Sequence, residues 1–161
     1  MDDIPGAGLL LQQAQDAARR QIEAFEGFRA KSRGYLTAGA ISITIASGFV
    51  RLDNDAGTGV VFMLVLALIA FLTMAAIAAF LDFSKGLQFA PSRPEFTALV
   101  DGRVYSEDAL AVWLAKEYDD LVLPANEPIL AMLARLSDLQ LIAYLVEVGL
   151  SVVALIVVIS N

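Results

Sequence analysis

The chain has 161 residues, 58% of them hydrophobic, and its mean hydropathy of +0.67 lies well above that of an ordinary soluble domain. It contains no cysteine and no histidine, which argues against thiol nucleophiles, disulfides, Ser-His-Asp triads and the usual zinc or haem ligands. The net charge of −7 argues against a nucleic acid as partner. Since no Walker-type or Rossmann-type glycine loop is present either, we expect a protein that is not an enzyme and needs no cofactor or metal.

Residues 1–34 predict an amphipathic helix in the cytoplasm. The spacing of five apolar residues keeps them on one helix face. This helix either packs on the other cytoplasmic helices or lies on the membrane surface. Gly34 is the only weak point before the next segment, so the helix can continue into it. Because charges of both signs precede the first apolar segment, we expect no cleavable signal peptide. The five apolar positions are Leu11, Ala14, Ala18, Ile22 and Phe25.

Three apolar segments predict three transmembrane helices. The first, 35–50, is short and rather polar, whereas 58–81 has about 24 residues without a charge. The third, 139–159, has about 21 residues, enough to cross a hydrocarbon core of about 30 Å. We therefore expect an all-α integral membrane protein. Its predicted parts are the cytoplasmic helix 1–34, a two-span hairpin 35–81, a cytoplasmic helical region 82–138 and the third transmembrane helix 139–161.

The basic residues lie almost entirely on one side of the predicted spans. Ten of the eleven fall within 1–34 and 82–138, and only Arg51 lies in the short 51–57 loop. By the positive-inside rule, the N-terminus and 82–138 face the cytoplasm and Asn161 lies outside. The predicted location is the bacterial cytoplasmic (inner) membrane, with the chain crossing it several times.

The cytoplasmic region 82–138 contains two structural alternatives at 95–105. Ser92 and Glu95 have capping-box spacing, which predicts a short helix. Alternatively, Asp101 and Gly102 form the turn of a β-hairpin. We favour the helix, and both alternatives stay open. Ser106 then caps the next predicted helix.

The last predicted helix begins near Asn126, with Pro128 in its first turn. Nothing in the sequence ends this helix before the third apolar segment. One rod of about 32 residues, or roughly 48 Å, is therefore expected to run from the cytoplasm into the third span.

A polar face on the third span is the first candidate site. Gln140, Tyr144, Glu147 and Ser151 follow one another at intervals of four, three and four, so they share one helix face. A carboxylate near the bilayer centre costs several kcal/mol unless it is paired, protonated or in contact with water. The face therefore either joins copies of the chain in a homo-oligomer or lines an ion path, or it is satisfied inside one bundle.

Small and hydroxyl residues of the first span form a second candidate set, for helix packing: Ala40, Thr44, Ser47 and Gly48. In the single-bundle alternative, Glu147 hydrogen-bonds to Thr44 or Ser47. A third candidate set, for binding a phosphate-bearing signal, consists of Arg93, Arg103, Lys116 and Arg135.

The layout resembles that of bacterial antiphage membrane effectors of the Pycsar type. In these proteins two close spans are followed by a cytoplasmic helical stretch and a third span. Of the family's usual Asp-x-Lys-Ala-Gly start of the first span, Lys31 and Gly34 are present. The matching text is Phe-Arg-Ala-Lys-Ser-Arg-Gly at 28–34, Trp-Leu-Ala-Lys-Glu-Tyr at 113–118 and Asn-Glu-Pro-Ile-Leu at 126–130.

The resemblance implies an antiphage defence effector that acts by abortive infection. Such a protein forms homo-oligomers in the lipid bilayer and impairs membrane integrity when an infection signal, such as a cyclic nucleotide or a partner protein on the cytoplasmic side, activates it. The helices of 95–138 would sense the signal. Two other functions stay open: a non-conducting membrane scaffold or accessory subunit, and a constitutive small ion channel or transporter subunit.

Overall fold

The computed structural model describes residues 6–52, 57–83, 87 and 107–160, and these residues form helices without any strand. The expected all-α fold is confirmed over that part of the chain. The alternatives for 95–105 lie outside the described residues. The helices are α1 (Ala7–Leu52), α2 (Thr58–Phe83), α3 (Glu107–Glu117) and α4 (Leu123–Ser160), with a π-helical segment, Tyr118–Val122, before α4.

The two long helices agree with two predictions of continuity. α1 passes through Gly34 without a break, so the N-terminal helix and the first apolar segment are one helix. α4 likewise includes both Pro128 and the third apolar segment. It begins at Leu123, slightly before the predicted start near Asn126.

The chain divides into two compact units. Unit 1 comprises Met1–Glu26 and Lys85–Met132, and unit 2 comprises Gly27–Ser84 and Leu133–Asn161.

The wide turn in unit 1 follows from a proline. Pro124 has no backbone N–H, and its ring would collide with the carbonyl group four residues earlier in an ordinary α-helix. The Leu123 N–H donates to the Tyr118 carbonyl oxygen, five residues back, as in a π-helix. The chain therefore keeps its helical course by widening one turn rather than by ending the helix.

Two amides link the helices of unit 1. The Asn126 side chain is only 1% exposed, and its Nδ2 donates to Gln21 Oε1 at 2.9 Å. In turn, Gln21 Nε2 donates to the Leu123 carbonyl oxygen at 3.3 Å. The apolar neighbours of Gln21 on the predicted face of α1 include Ala18 and Phe25, both buried. Unit 1 thus has a small apolar core next to a pair of amide side chains that hydrogen-bond to each other.

In each of the three helix segments of unit 2, buried residues recur every seven positions. This period of seven is the one that keeps a seam of side chains facing partner helices in left-handed packing. Many of the buried residues are small or polar rather than bulky and apolar. The residues with the period of seven are Ser32, Gly39 and Ala46 on α1, Val60, Ala67, Met74 and Leu81 on α2, and Leu133, Gln140, Glu147 and Ala154 on α4; Ala78, Ser137 and Ser151 are buried as well.

Much of the outer surface of unit 2 is apolar, although charged residues such as Lys31, Arg33 and Asp138 are exposed as well. Large aliphatic and aromatic side chains are exposed on all three helix segments, among them Ile45, Leu72 and Ile142. A water-soluble protein avoids contiguous apolar surface of this kind. An arrangement with polar groups between the helices and apolar groups on the outside is expected for helices surrounded by lipid.

Two helical stretches are long and apolar enough to cross a membrane within the described residues, Thr58–Asp82 and Asp108–Ser160. They contain the second and third predicted spans. The first predicted span, 35–50, is not among them. The uncharged stretch between Arg33 and Arg51 is short, and hydroxyl side chains lower its hydropathy.

We predict that Asn126→Leu destabilises unit 1. The substitution leaves the half-buried Gln21 amide without its partner, which costs about 1–3 kcal/mol. Hydrogen–deuterium exchange of the detergent-solubilised full chain should then be faster in 107–132 than in the wild type. Glu127→Gln, at the exposed neighbouring position, is the control and should leave exchange unchanged. Equal exchange in Asn126→Leu and the control would contradict the role of the amide pair.

Candidate functional site

The Glu147 side chain lies in the middle of α4 and is completely buried in unit 2. Ser151, one helical turn further on, donates its hydroxyl to Glu147 Oε1 at 3.1 Å. The other carboxyl oxygen, Oε2, has no hydrogen-bond partner among the described residues. One carboxyl oxygen therefore accepts a hydrogen bond, and the other lies in the protein interior without one.

Glycine at position 39 makes room for this carboxyl group. A Cβ atom added to Gly39 would lie 3.2 Å from Glu147 Oε2 and 2.8 Å from Met74 Cε, closer than such atoms normally approach. A third neighbour, the Phe71 ring, would be 3.4 Å away. One residue from each helix segment thus meets in a single layer, and only the absence of a side chain on α1 permits it.

Gln140 occupies the next layer, two turns along α4 from Glu147. Its buried Nε2 donates to the carbonyl oxygens of Ser32, at 3.4 Å, and Met74, at 3.2 Å. This single amide therefore bonds to the backbones of both α1 and α2. Gln140 Oε1 and Ser32 Oγ, both buried, have no hydrogen-bond partner among the described residues.

Two tyrosines lie between these layers. The rings of Tyr35 and Tyr144 stack with their centroids 5.4 Å apart and an interplanar angle of 27°. All four residues of the predicted polar face, Tyr144 included, therefore contact or approach other parts of unit 2. In the described packing Gln140, Glu147 and Ser151 are buried by the chain's own helices, and Tyr144 is half-buried.

The predicted hydrogen bond from Glu147 to Thr44 or Ser47 is not present. Instead, the Thr44 hydroxyl donates to the Ala40 carbonyl oxygen at 2.6 Å, and the Ser47 hydroxyl donates to the Thr44 carbonyl oxygen at 3.1 Å. Hydroxyl groups in an apolar helix commonly bond to their own backbone in this way. Thr44, Ser47 and Gly48 are exposed and Ala40 is half-buried, so these four residues lie away from the buried carboxyl group.

A second polar cluster, formed by Arg29, Arg33 and Asp82, links α1 to the C-terminal end of α2. Arg29 donates from Nε to the Leu81 carbonyl oxygen at 3.2 Å and from Nη2 to the Asp82 carbonyl oxygen at 3.1 Å. Arg33 Nη2 lies 3.1 Å from Asp82 Oδ1. Cations are favoured at a helix C-terminus, where carbonyl groups lack partners. The sequence signal was two arginines four residues apart on α1 and one acidic residue directly after an apolar span.

The structure describes two of the four predicted signal-binding residues, Lys116 and Arg135, and they lie in different units. Arg93 and Arg103 lie outside the described residues. Lys116, in unit 1, lines a shallow cleft together with Asp119 and Asp120, whose charges oppose the binding of an anion. Arg135 is exposed on the part of α4 in unit 2. The described residues contain no group of three or more acidic side chains placed to hold a metal ion.

Comparison with known proteins identifies no relative. No protein-family model, no curated protein and no solved structure matches this chain. The site therefore has to be interpreted from its own geometry.

We predict that Gly39→Leu destabilises unit 2 strongly, because the new side chain must displace Met74 and the Glu147 carboxyl group. Overpacking of this kind typically costs about 1–3 kcal/mol. Gly149→Leu is the matched control, since an added Cβ at Gly149 meets nothing within 4 Å. Thermal unfolding in detergent, followed by circular dichroism, should show a lower midpoint for Gly39→Leu only. A similar loss in both variants would show that the tight layer is not the cause.

Proposed function

We propose that this chain is a signal-activated effector of the bacterial inner membrane that impairs membrane integrity by self-association. It crosses the bilayer at 35–50, 58–81 and 139–159, with the N-terminus and 82–138 in the cytoplasm and the C-terminus outside. It performs no chemical reaction. The observation that carries the proposal is the polar face of α4, buried inside a bundle whose outer surface is apolar.

The distribution of polarity supports membrane insertion of unit 2. Lipid tails offer no hydrogen-bond partners, so polar side chains must be satisfied between helices. Gln140 is used in this way, whereas Ser151 bonds to Glu147 within α4. The exposed surface consists of side chains such as Phe62, Leu145 and Ile156, which lipid tails accommodate at no cost.

The buried polar face provides a mechanism for assembly. If a signal displaces α1 from α4, then Gln140, Glu147 and Ser151 face lipid, where each polar group costs free energy. Association with the same face of other opened copies removes that cost. A ring of such faces would surround a polar path through the bilayer. Self-association and loss of the membrane barrier thus follow from one event, the opening of unit 2.

The context of phage defence rests on the sequence resemblance to Pycsar-type effectors. The helices of 95–138 are the proposed sensing part, with a cyclic nucleotide or a partner protein as the signal. α4 includes residues of both this region and the third span, so a change at its start can reach the polar face along one helix.

A static scaffold is the second candidate function. The tight fit of Gly39 against Met74 and Glu147, together with the two bonds from Gln140, favours a bundle that never opens. A scaffold of this kind would bind a partner protein, conduct nothing and be harmless to the cell.

We predict that bacteria expressing the chain keep their membrane potential until a phage infects them and lose it afterwards. The measurement is a potential-sensitive dye recorded before and during infection, with the protein confirmed in the membrane fraction. Glu147→Leu should abolish the loss of potential, because the opened face then lacks its carboxyl group. Leu145→Ala, on the lipid-facing side of the same helix, is the control and should behave as the wild type.

The outcomes separate the three functions. Loss of potential without infection would favour a constitutive channel or transporter subunit. A constant potential under both conditions would favour the scaffold.

We predict the outcome of a topology experiment with single introduced cysteines. Because the sequence contains no cysteine, each introduced one is labelled without background. A membrane-impermeant maleimide should label Ser160→Cys in intact spheroplasts, because the C-terminus lies outside. Asp16→Cys should react only after the membrane is permeabilised. Labelling of both variants in intact spheroplasts would exclude a cytoplasmic N-terminus.

A further inference from the structure

A groove runs along the outside of unit 2 between α1 and α2. Its main part, of about 670 Å³, begins at Leu36 on α1 and is bounded on the other side by Phe71 on α2. A further part of about 340 Å³ continues to Ser47, and Thr44 lines both parts. The Thr44 and Ser47 hydroxyl groups already donate to carbonyl oxygens of α1 itself. The α1–α2 groove therefore offers an occupant an apolar surface.

The length of this groove matches one leaflet of a bilayer. From Leu36 to Ser47 α1 rises about 16 Å, whereas half of a typical hydrocarbon core is about 15 Å. The groove begins three residues after Arg33, the last charged residue before the uncharged stretch that ends at Arg51. In the proposed orientation this end lies at the cytoplasmic boundary of the bilayer. One acyl chain of a lipid in the cytoplasmic leaflet therefore fits along the groove.

Arg33 provides a positive charge at the boundary end of the groove. It shares a face of α1 with Thr37, which lines the groove and whose hydroxyl donates to the Arg33 carbonyl oxygen at 3.0 Å. The Arg33 side chain is 69% exposed, and its contact with Asp82 occupies only part of the guanidinium group. Arg29 lies at the same aspartate, so two arginines around one carboxylate leave a net positive charge. Guanidinium groups pair well with phosphate.

We infer that the α1–α2 groove binds an anionic phospholipid of the cytoplasmic leaflet, with the phosphate at Arg33 and one acyl chain between the two helices. Basic groups beside a groove between transmembrane helices, on the cytoplasmic side, bind anionic lipid head groups in this way. The lipid would cover the exposed face of 35–50, the least apolar of the three predicted spans. The site rests on the membrane insertion and orientation proposed above, but not on the effector activity.

Native mass spectrometry of the full-length protein, delipidated in detergent, tests the site. Phosphatidylglycerol and phosphatidylcholine with identical acyl chains are the probes. Phosphatidylglycerol should bind severalfold more tightly, because the choline group cancels the charge of its own phosphate. Glycerol 3-phosphate, which has no acyl chain, should not displace the lipid. Equal affinity for the two lipids, or displacement by glycerol 3-phosphate, would overturn the inference.

A pair of charge variants tests the position of the phosphate. Arg33→Gln should reduce the preference for phosphatidylglycerol severalfold. Lys31→Gln removes the same charge from an exposed position two residues away, on another face of α1, and should keep the preference. An equal reduction in both variants would show a general effect of surface charge and would overturn the site at Arg33.

A pair of tryptophan variants tests the place of the acyl chain. Thr44 and Thr73 are both exposed, and each donates its hydroxyl to the carbonyl oxygen four residues earlier in its own helix. Thr44 lines the groove, whereas Thr73 is outside its lining. Thr44→Trp should therefore weaken lipid binding severalfold and Thr73→Trp should not. Size-exclusion chromatography checks that each variant keeps its fold, and equal binding by the two folded variants would contradict the groove as the site.

The same spectra show whether another occupant covers the groove. A lipid-free dimer that Thr44→Trp dissociates would assign the groove to a second copy of the chain and overturn the lipid site. Lipid binding is measured without any phage. It can therefore succeed where the infection-dependent loss of membrane potential fails, and the reverse is equally visible.

Discussion

In the proposed membrane setting, the absence of water in the bilayer is the constraint on which the rest of this structure depends. Inside lipid every polar group must find its partner within the protein. Unit 2 meets part of this requirement with one seam, in which Gln140 bonds to the backbones of both α1 and α2 and Ser151 bonds to Glu147. The seven-residue period of burial aligns the seam along α4 and leaves apolar side chains such as Ile45 and Ile142 exposed.

The seam is incomplete. Glu147 Oε2, Gln140 Oε1 and Ser32 Oγ are buried without hydrogen-bond partners in the described residues. A bundle selected only for stability would place apolar side chains there, since replacing buried polar groups by well-packed apolar ones is often neutral or stabilising. The retained polar groups fit the proposed assembly mechanism, since that mechanism requires a second state of the seam in which they find other partners.

The sequence predicted the helices well because hydrophobic periodicity and length determine them. Continuity of α1 through Gly34 and of α4 through Pro128 followed from the absence of a stop signal, and the shared face of the four polar residues followed from their spacing. The start of α4 was predicted too late because the widened turn before Pro124 has no clear sequence signature.

The partners of the polar face were harder to predict. The single-bundle alternative had Thr44 or Ser47 bonding to Glu147, but a hydroxyl group in an apolar helix bonds to its own backbone just as well. Gly39 was overlooked because a glycine in a span rich in small residues carries no distinguishing signal. Only the three-dimensional arrangement shows that its missing side chain is the space that Glu147 fills. The Arg29 contacts with α2 were missed because they involve carbonyl groups, which a sequence does not distinguish.

The repeat of small residues on α1 has a consequence for alignment along the helix axis. Ser32, Gly39 and Ala46 are spaced by one heptad each, so a slide of α4 by seven residues, about 10 Å, would again set a small residue against Glu147. Ser32 and Ala46 carry the Cβ atom that Gly39 lacks, so packing against Glu147 favours the observed alignment. The buried amide of Gln140 also favours it, because only this alignment gives its donors the carbonyl groups of Ser32 and Met74 together. Its chief contribution is then a unique register rather than stability, as for single polar residues in the cores of coiled coils.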